Sequence, residues 1–276
     1  MIVDGWRYSN HTAVPVSGPH EPVDLRPIKS GAIWKLDGGP ILARWITEWD
    51  CGKETNWWYV IKDKPFDLGA LKSKRRYEIN KGNKYYTVRK IRPEDYGDEL
   101  FQVTVRAYEG WPQKYRPVVD KDRFINSLPK WNNSIVYGAF FVEDNGLCGY
   151  GIVSDEGTWM SFSVLRTIPE HERNGINAAL VYGILIDNEH NLSQGKYISD
   201  GARSVFHETS FQDYLEKYFE FRKAYCKLNV KYKKSAGFLI NMIYPFRSLL
   251  LKLDNIGVVH SINAVLKLES IHRSEI

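Results

Sequence analysis

Between Ser134 and Asp187 the chain changes element type in an order that leaves few folds open. SIVYGAFFVED and GLCGYGIVSDEG are β-rich runs joined at Asp144-Asn145-Gly146, a hairpin signal. TWMSFSVL predicts a third strand, which runs into PEHERNGINAAL. A helix is expected over Ile176 to Asp187, with Ile176, Ala179, Leu180, Gly183 and Ile184 on one side. KYISDG then predicts a short strand, TSFQDYLEKYF an amphipathic helix and RKAYCKLNVKY a closing strand. Strand, strand, strand, helix, strand, helix, strand is a mixed α/β order.

The loop PEHERNGINAAL admits two readings. A helix leaves its first N–H groups without partners, and its N-terminus carries the positive pole of the dipole. With Gly175 allowing close backbone approach, Arg173, Asn174, Gly175, Ile176 and Asn177 suit a diphosphate. The plainer alternative is an ordinary helix start with Asn174 as its cap.

At 276 residues and 43% hydrophobic content the chain can bury a sizeable core. Cys51, Cys148 and Cys226 lie far apart inside apolar stretches, which points to neither a disulfide framework nor a zinc site; a reduced, cytoplasmic setting and no metal are expected. The first thirty residues hold no apolar signal region, and no run reaches the eighteen or so uncharged residues of a spanning helix.

The net charge of +5 is unevenly distributed. From Lys72 to Arg92, nine Lys and Arg face one acid, Glu78; from Lys227 to Leu253, six cations occur with no acid. Each run is either a solvated face or a contact for an anionic ligand or surface. Residues 1–30, broken by Pro15, Pro19, Pro22 and Pro27, are expected to form an irregular lead-in. AIWKL, PILARWITEWD and NWWYVIKD read as strands, Leu68 to Asn80 as a helix capped by Asp67, YYTVRKI as a strand, and the run from Pro93 as a helix. Gly237 to Leu253, kinked at Pro245, and Asn255 to Leu268 are expected to form an apolar helical hairpin. That hairpin either docks on the body of the protein or rests on an anionic membrane through Lys231, Lys233, Lys234, Arg247 and Lys252.

From about Tyr85 to Tyr232 this order resembles the GCN5-related N-acetyltransferase (GNAT) fold. The signature loop of that family reads Gln or Arg, two residues, Gly, one residue, then Gly or Ala. Here Gly175 agrees, Glu172 and Asn177 depart, and Arg173 supplies a cation from the next position. WWYVIKDKPFDLGALKSKRRYEINKG and DGARSVFHETSFQDYLEKYFEFRKAYCKLNVKY resemble the FemAB-like branch, which joins one full domain to a reduced one. The resemblance implies an α/β (α+β) protein with a GNAT-like mixed sheet and flanking helices. Its segments would be a strand-rich reduced half-domain over 1–84, an acyltransferase domain over 85–232 and the helical hairpin over 233–276.

The chemistry implied is N-acyl transfer from acetyl-CoA or another acyl-CoA to an amine of a cell-envelope precursor, an amino sugar or peptide. The third strand, with Phe162, Ser163 and Val164, would supply backbone groups to the pantetheine arm. As base or amine-positioning groups the chain offers Asp200, His207 and Glu208, and Tyr225 is the candidate acid toward the departing thiolate. Lys72, Arg75 and Arg76 would hold the acceptor's phosphates, with Trp57 and Tyr59 as a stacking wall. Two alternatives stay open: an aminoacyl-tRNA donor, and an inactive membrane-peripheral module.

Overall fold

The computed structural model describes residues 2–274 except 112, 114, 115, 132 and 206–209. The chain divides into two compact units, both discontinuous in sequence. One comprises 1–60, 202–210 and 223–276, and the other 61–201 and 211–222. The segments expected from sequence are contiguous, whereas here the basic helix falls in the second unit and the closing strand in the first.

The first unit opens with a meander where an irregular lead-in was expected. β1 (Ile2–Val3), β2 (Trp6–Ser9) and β3 (Thr12–Pro15) are antiparallel, with Val3 opposite Trp6 and Ser9 opposite Thr12. Both hairpins close with two residues, Asp4-Gly5 and Asn10-His11. All four residues have positive φ, the conformation that matches the twist of paired strands. A short helix α1 (Arg26–Ser30) comes next, and Ala32–Lys35 forms a 3-10 turn where a strand was expected. β4 (Leu42–Thr47) runs parallel to β3. Trp6, Ala13, Ile33, Leu36 and Ala43 form one core here. β5 (Trp57–Lys62) completes this stretch.

In the second unit Asp67 caps only a 3-10 turn, its carboxylate accepting from the Gly69 amide at 2.7 Å. The basic helix α2 starts later, over Ser73–Tyr85. β6 (Tyr86–Ile91) is followed by a Pro93-initiated turn and α3 (Gly97–Glu109), which carries Asp98 and Glu99 in its first turn and buries Leu100, Val103 and Thr104 at helical spacing. After α4 (Lys121–Ile125) come β7 (Ser134–Phe141), β8 (Leu147–Asp155) and β9 (Met160–Thr167), the expected meander. Asn145 at the hairpin has positive φ, and the Asp144 carboxylate accepts from the Gly146 amide at 2.8 Å. A single turn α5 (Pro169–Glu172) leads into α6 (Ile176–Asp187), whose ends match the sequence reading. α7 (Glu189–Ser193), β10 (Ile198–Ala202) and α8 (Phe211–Phe219) complete the unit. The strand order is β10-β9-β8-β7-β6, antiparallel apart from β10 beside β9.

The chain then returns to the first unit. β11 (Arg222–Tyr232) pairs antiparallel with β4, from Lys227 opposite Thr47 to Tyr232 opposite Leu42. Beyond it lie α9 (Lys234–Ile243), a turn holding Pro245, α10 (Arg247–Leu251) and α11 (Gly257–Ser274). Leu268 and Ile271 of α11 join Leu42, Trp57, Cys226, Leu228 and Val230 in a second core. The docking alternative therefore holds for α11. It does not hold for the exposed faces of α9 and α10.

Candidate active site at the fork of two parallel strands

β9 and β10 are paired only at Met160 with Ile198 and Ser161 with Ser199. β9 continues to Thr167 and β10 to Ala202 without further pairing between them, so the strands part. On its other side β9 stays paired with β8, but the register slips: Ile152 faces Val164 while Val153 faces Phe162. Ser163 is the extra residue of this bulge, and it is exposed. From Phe162 to Arg166, β9 therefore has one ladder, to β8, and among the described residues no strand covers its other edge. An uncovered edge offers N–H and C=O groups at regular spacing to an extended ligand.

Asp200 stands on β10 just past the last pair. Burial pushes its carboxyl up from 3.8 to about 7, and a hydrogen bond from the Gln212 amide (Nε2 to Oδ2, 3.2 Å) opposes the rise only in part. Gln212 sits in the first turns of α8 beside Phe211, whose ring packs edge-on against Phe162 at 6.0 Å. The start of α8 thus touches both arms of the fork. A carboxyl at this value is half ionised near neutrality, which suits it to accept a proton.

The loop before α6 is built differently from the diphosphate cradle expected of it. Gly175 has φ +80° and is itself the N-cap, so Asn174 is not the cap. The Asn174 amide donates to the His171 carbonyl (3.0 Å) and the Gly175 amide to the Glu172 carbonyl (2.9 Å). A Cβ on Gly175 would meet the backbone of Glu78 and Gly82 at 3.1–3.2 Å, so this glycine serves the contact with α2. The Tyr86 hydroxyl contacts His171 Nδ1 at 2.8 Å and donates to the His171 carbonyl at 3.3 Å. Two of the expected amides are therefore committed within the protein. Those of Ile176, Asn177 and Ala178 find no acceptor among the described residues, and Arg173 is exposed. The Asn177 side chain accepts from Thr167 Oγ1 at 2.9 Å, tying the end of β9 to the first turn of α6.

The other candidates are scattered. His207 and Glu208 lie outside the described residues. Tyr225, on β11 in the first unit, stacks edge-on against Trp58 at 6.1 Å. Trp57 is 1% exposed and belongs to the core, so it offers no face to a ligand. Tyr59 packs against that core, and burial pushes its phenol up to about 12. Trp58 is half-buried, with Arg203 (4.3 Å) and Lys223 (4.8 Å) over its ring. Lys72 is the residue before α2, with Arg75 and Arg76 one turn on. Lys72 is exposed, the two arginines are half-buried, and Arg76 also donates to the Gly69 carbonyl at 3.4 Å.

Sequence reasoning missed Gln212, Phe211 and Arg166. Gln212 and Phe211 come about a dozen residues after Asp200 in the sequence, and no local pattern announces them. Arg166 lies on the uncovered length of β9, with its guanidinium over Tyr108 (5.1 Å) and Trp111 (5.6 Å). Its signal was available: an arginine at the end of an apolar strand is costly unless something accepts it. Among the described residues no group of His, Cys, Asp and Glu is placed to hold a metal ion.

No family model and no curated protein sequence matches the chain. Solved structures do. The L-PGS structure from Bacillus licheniformis is 14% identical with a TM-score of 0.55, over 88% of this chain and 84% of that one. A conserved protein of unknown function from Bacteroides thetaiotaomicron is 13% identical with a TM-score of 0.53, over 84% of each chain. The C-terminal DUF2156 domain of a protein assigned as a lysylphosphatidylglycerol synthetase from Agrobacterium fabrum is 12% identical with a TM-score of 0.50, over 85% and 82%. At these identities the likeness is one of fold.

Proposed function

We propose that the protein is an acyltransferase working at the β9–β10 fork, with the acyl donor along the edge Phe162–Arg166 and Asp200 as general base. The observation that carries this reading is a carboxyl pushed up to about 7 just beyond the last pair of two diverging strands, beside an uncovered strand edge. An attacking amine loses its proton to the Asp200 carboxylate as it bonds the donor carbonyl. The oxyanion formed takes a hydrogen bond from a backbone N–H of β9, and collapse expels the donor's thiolate or alkoxide, which takes the proton from the Asp200 carboxyl and leaves as thiol or alcohol, restoring the carboxylate.

Under the first reading the donor is an acyl-CoA and the acceptor an amine on an envelope precursor. The N–H groups of Ile176, Asn177 and Ala178 support it, with Arg173 beside them for the diphosphate. Lys72, Arg75 and Arg76 would face the acceptor's phosphates. A second reading takes an aminoacyl ester as donor. It is favoured by the likeness over 85% of the chain to a domain assigned to a lysylphosphatidylglycerol synthetase, and by the internal use of the Asn174 and Gly175 amides. Either reaction suits an enzyme at the inner face of a membrane.

The test offers the full chain labelled acetyl-CoA or labelled lysyl-tRNA together with a membrane extract and tracks the label. Transfer is expected from one donor. Asp200→Asn should lower it by about 10²–10⁴-fold without loss of fold. Transfer from neither donor at any pH from mildly acid to mildly alkaline would leave a binding module in place of an enzyme.

A further inference from the structure

The first unit carries a surface that the fork does not explain. Nine of the seventeen large hydrophobic residues exposed on the described surface fall between Phe238 and Val258. Phe238, Leu239 and Met242 share one side of α9 and are 67%, 57% and 56% exposed. Phe246, Leu249 and Leu251 continue the exposure past the bend at Pro245. Such a run on two consecutive short helices exceeds what a monomer's surface ordinarily leaves to water.

On the side of these helices that meets the body, Ile240, Ile243 and Leu250 are half-buried, and polar contacts to α11 pin the pair. Arg273 of α11 donates to Asn241 Oδ1 at 2.7 Å and lies over Tyr244 at 4.0 Å, and Asn263 of α11 donates to the Leu250 carbonyl at 3.0 Å. α9 and α10 thus bury only part of their apolar surface, and Phe238, Leu239, Met242, Phe246, Leu249 and Leu251 stay turned to solvent, more than a helix pair docked for stability leaves out. Around them stand Lys231, Lys233, Lys234, Arg247 and Lys252, all exposed, and from Phe221 to Leu253 the chain has no acid.

We propose that α9 and α10 form a docking surface for an anionic lipid bilayer, the apolar side chains entering the interface and the five cations meeting the headgroups. The charge pattern selects this occupant over a second copy of the chain. A two-fold contact would set a patch rimmed by five cations against its like, with no acid on either segment to answer them. An anionic membrane surface answers every one, and neither helix need span it. Among the described residues no helix is long and apolar enough to cross a membrane.

Flotation of the full chain with vesicles of phosphatidylcholine, with or without one third phosphatidylserine, tests the proposal. Serine headgroups separate surface attraction from recognition of a phosphatidylglycerol-like substrate. The chain should float with the anionic vesicles and hardly at all with the neutral ones. Lys233→Glu with Lys234→Glu should weaken binding by about tenfold or more at low salt. Phe238→Ser, Leu239→Ser and Met242→Ser together should abolish flotation while circular dichroism and melting stay as in the parent. The idea is overturned if the parent stays with the neutral and anionic samples alike, or if both variants float as well as the parent. It is equally overturned if light scattering finds a lipid-free dimer that the triple variant dissolves.

Discussion

Asp200 ties one residue's environment to two observables. Its carboxyl is held at about 7 against an ordinary 3.8, so the folded chain binds that proton more tightly than the unfolded chain does. Stability from this group is therefore fully present below about pH 4, falls as pH rises toward 7, and levels off above it. Denaturant titrations across that window should show this fall, on the order of a few kcal/mol. Asp200→Asn should flatten it and leave the chain more stable than the parent at pH 8, since an amide needs no charge there. A parent profile already flat between those limits would mean a solvated carboxyl. Asp200 was legible in the sequence as a candidate, but the shift was not, because it arises from burial beside α8. The two tryptophans show the same limit. Alternation along β5 fixes that Trp57 and Trp58 face opposite ways, but only packing decides that Trp57 is core and Trp58 carries Arg203 and Lys223.

Elements were legible where local chemistry alone sets them. The Asp144-Asn145-Gly146 hairpin and the small-residue run of α6 came through at their expected positions. The Asp4-Gly5 and Asn10-His11 turns carried the same kind of signal, masked by prolines further along the segment. Helix α2 starts late because Asp67 is satisfied by a single 3-10 turn and leaves the longer helix without a side-chain cap. Its partner contact could not be read from sequence at all. A Cβ at Gly82 would lie 2.4 Å from the Gly175 carbonyl oxygen and 3.0 Å from the Ala179 amide nitrogen, both backbone atoms. Gly82→Ala should therefore force α2 and α6 apart and cost about 1–3 kcal/mol, read as a lower denaturation midpoint at unchanged slope. A midpoint equal to the parent's would mean that the two helices separate freely.

Over the whole molecule, composition and charge pointed to anionic partners without saying where. The order of elements gave the mixed α/β class, but the discontinuous make-up of the two units depends on long-range pairing such as β11 with β4. The C-terminal helices divide by role in a way no hydropathy count separates. Leu268 and Ile271 of α11 complete a core, whereas α9 and α10 present most of their large apolar side chains outward. Ending the chain near Tyr232 would remove core and docking surface together, so point substitutions are the sharper tool. The central claim is that an acyl donor occupies the fork between β9 and β10. Amide hydrogen exchange mapped along the full chain, with acetyl-CoA in one arm and a hydrolysis-resistant aminoacyl-nucleoside in the other, tests it directly. The account predicts slowed exchange in Phe162–Arg166 and in Ser199–Ala202 with at least one donor; exchange unchanged there with both, or slowed only elsewhere, would contradict it.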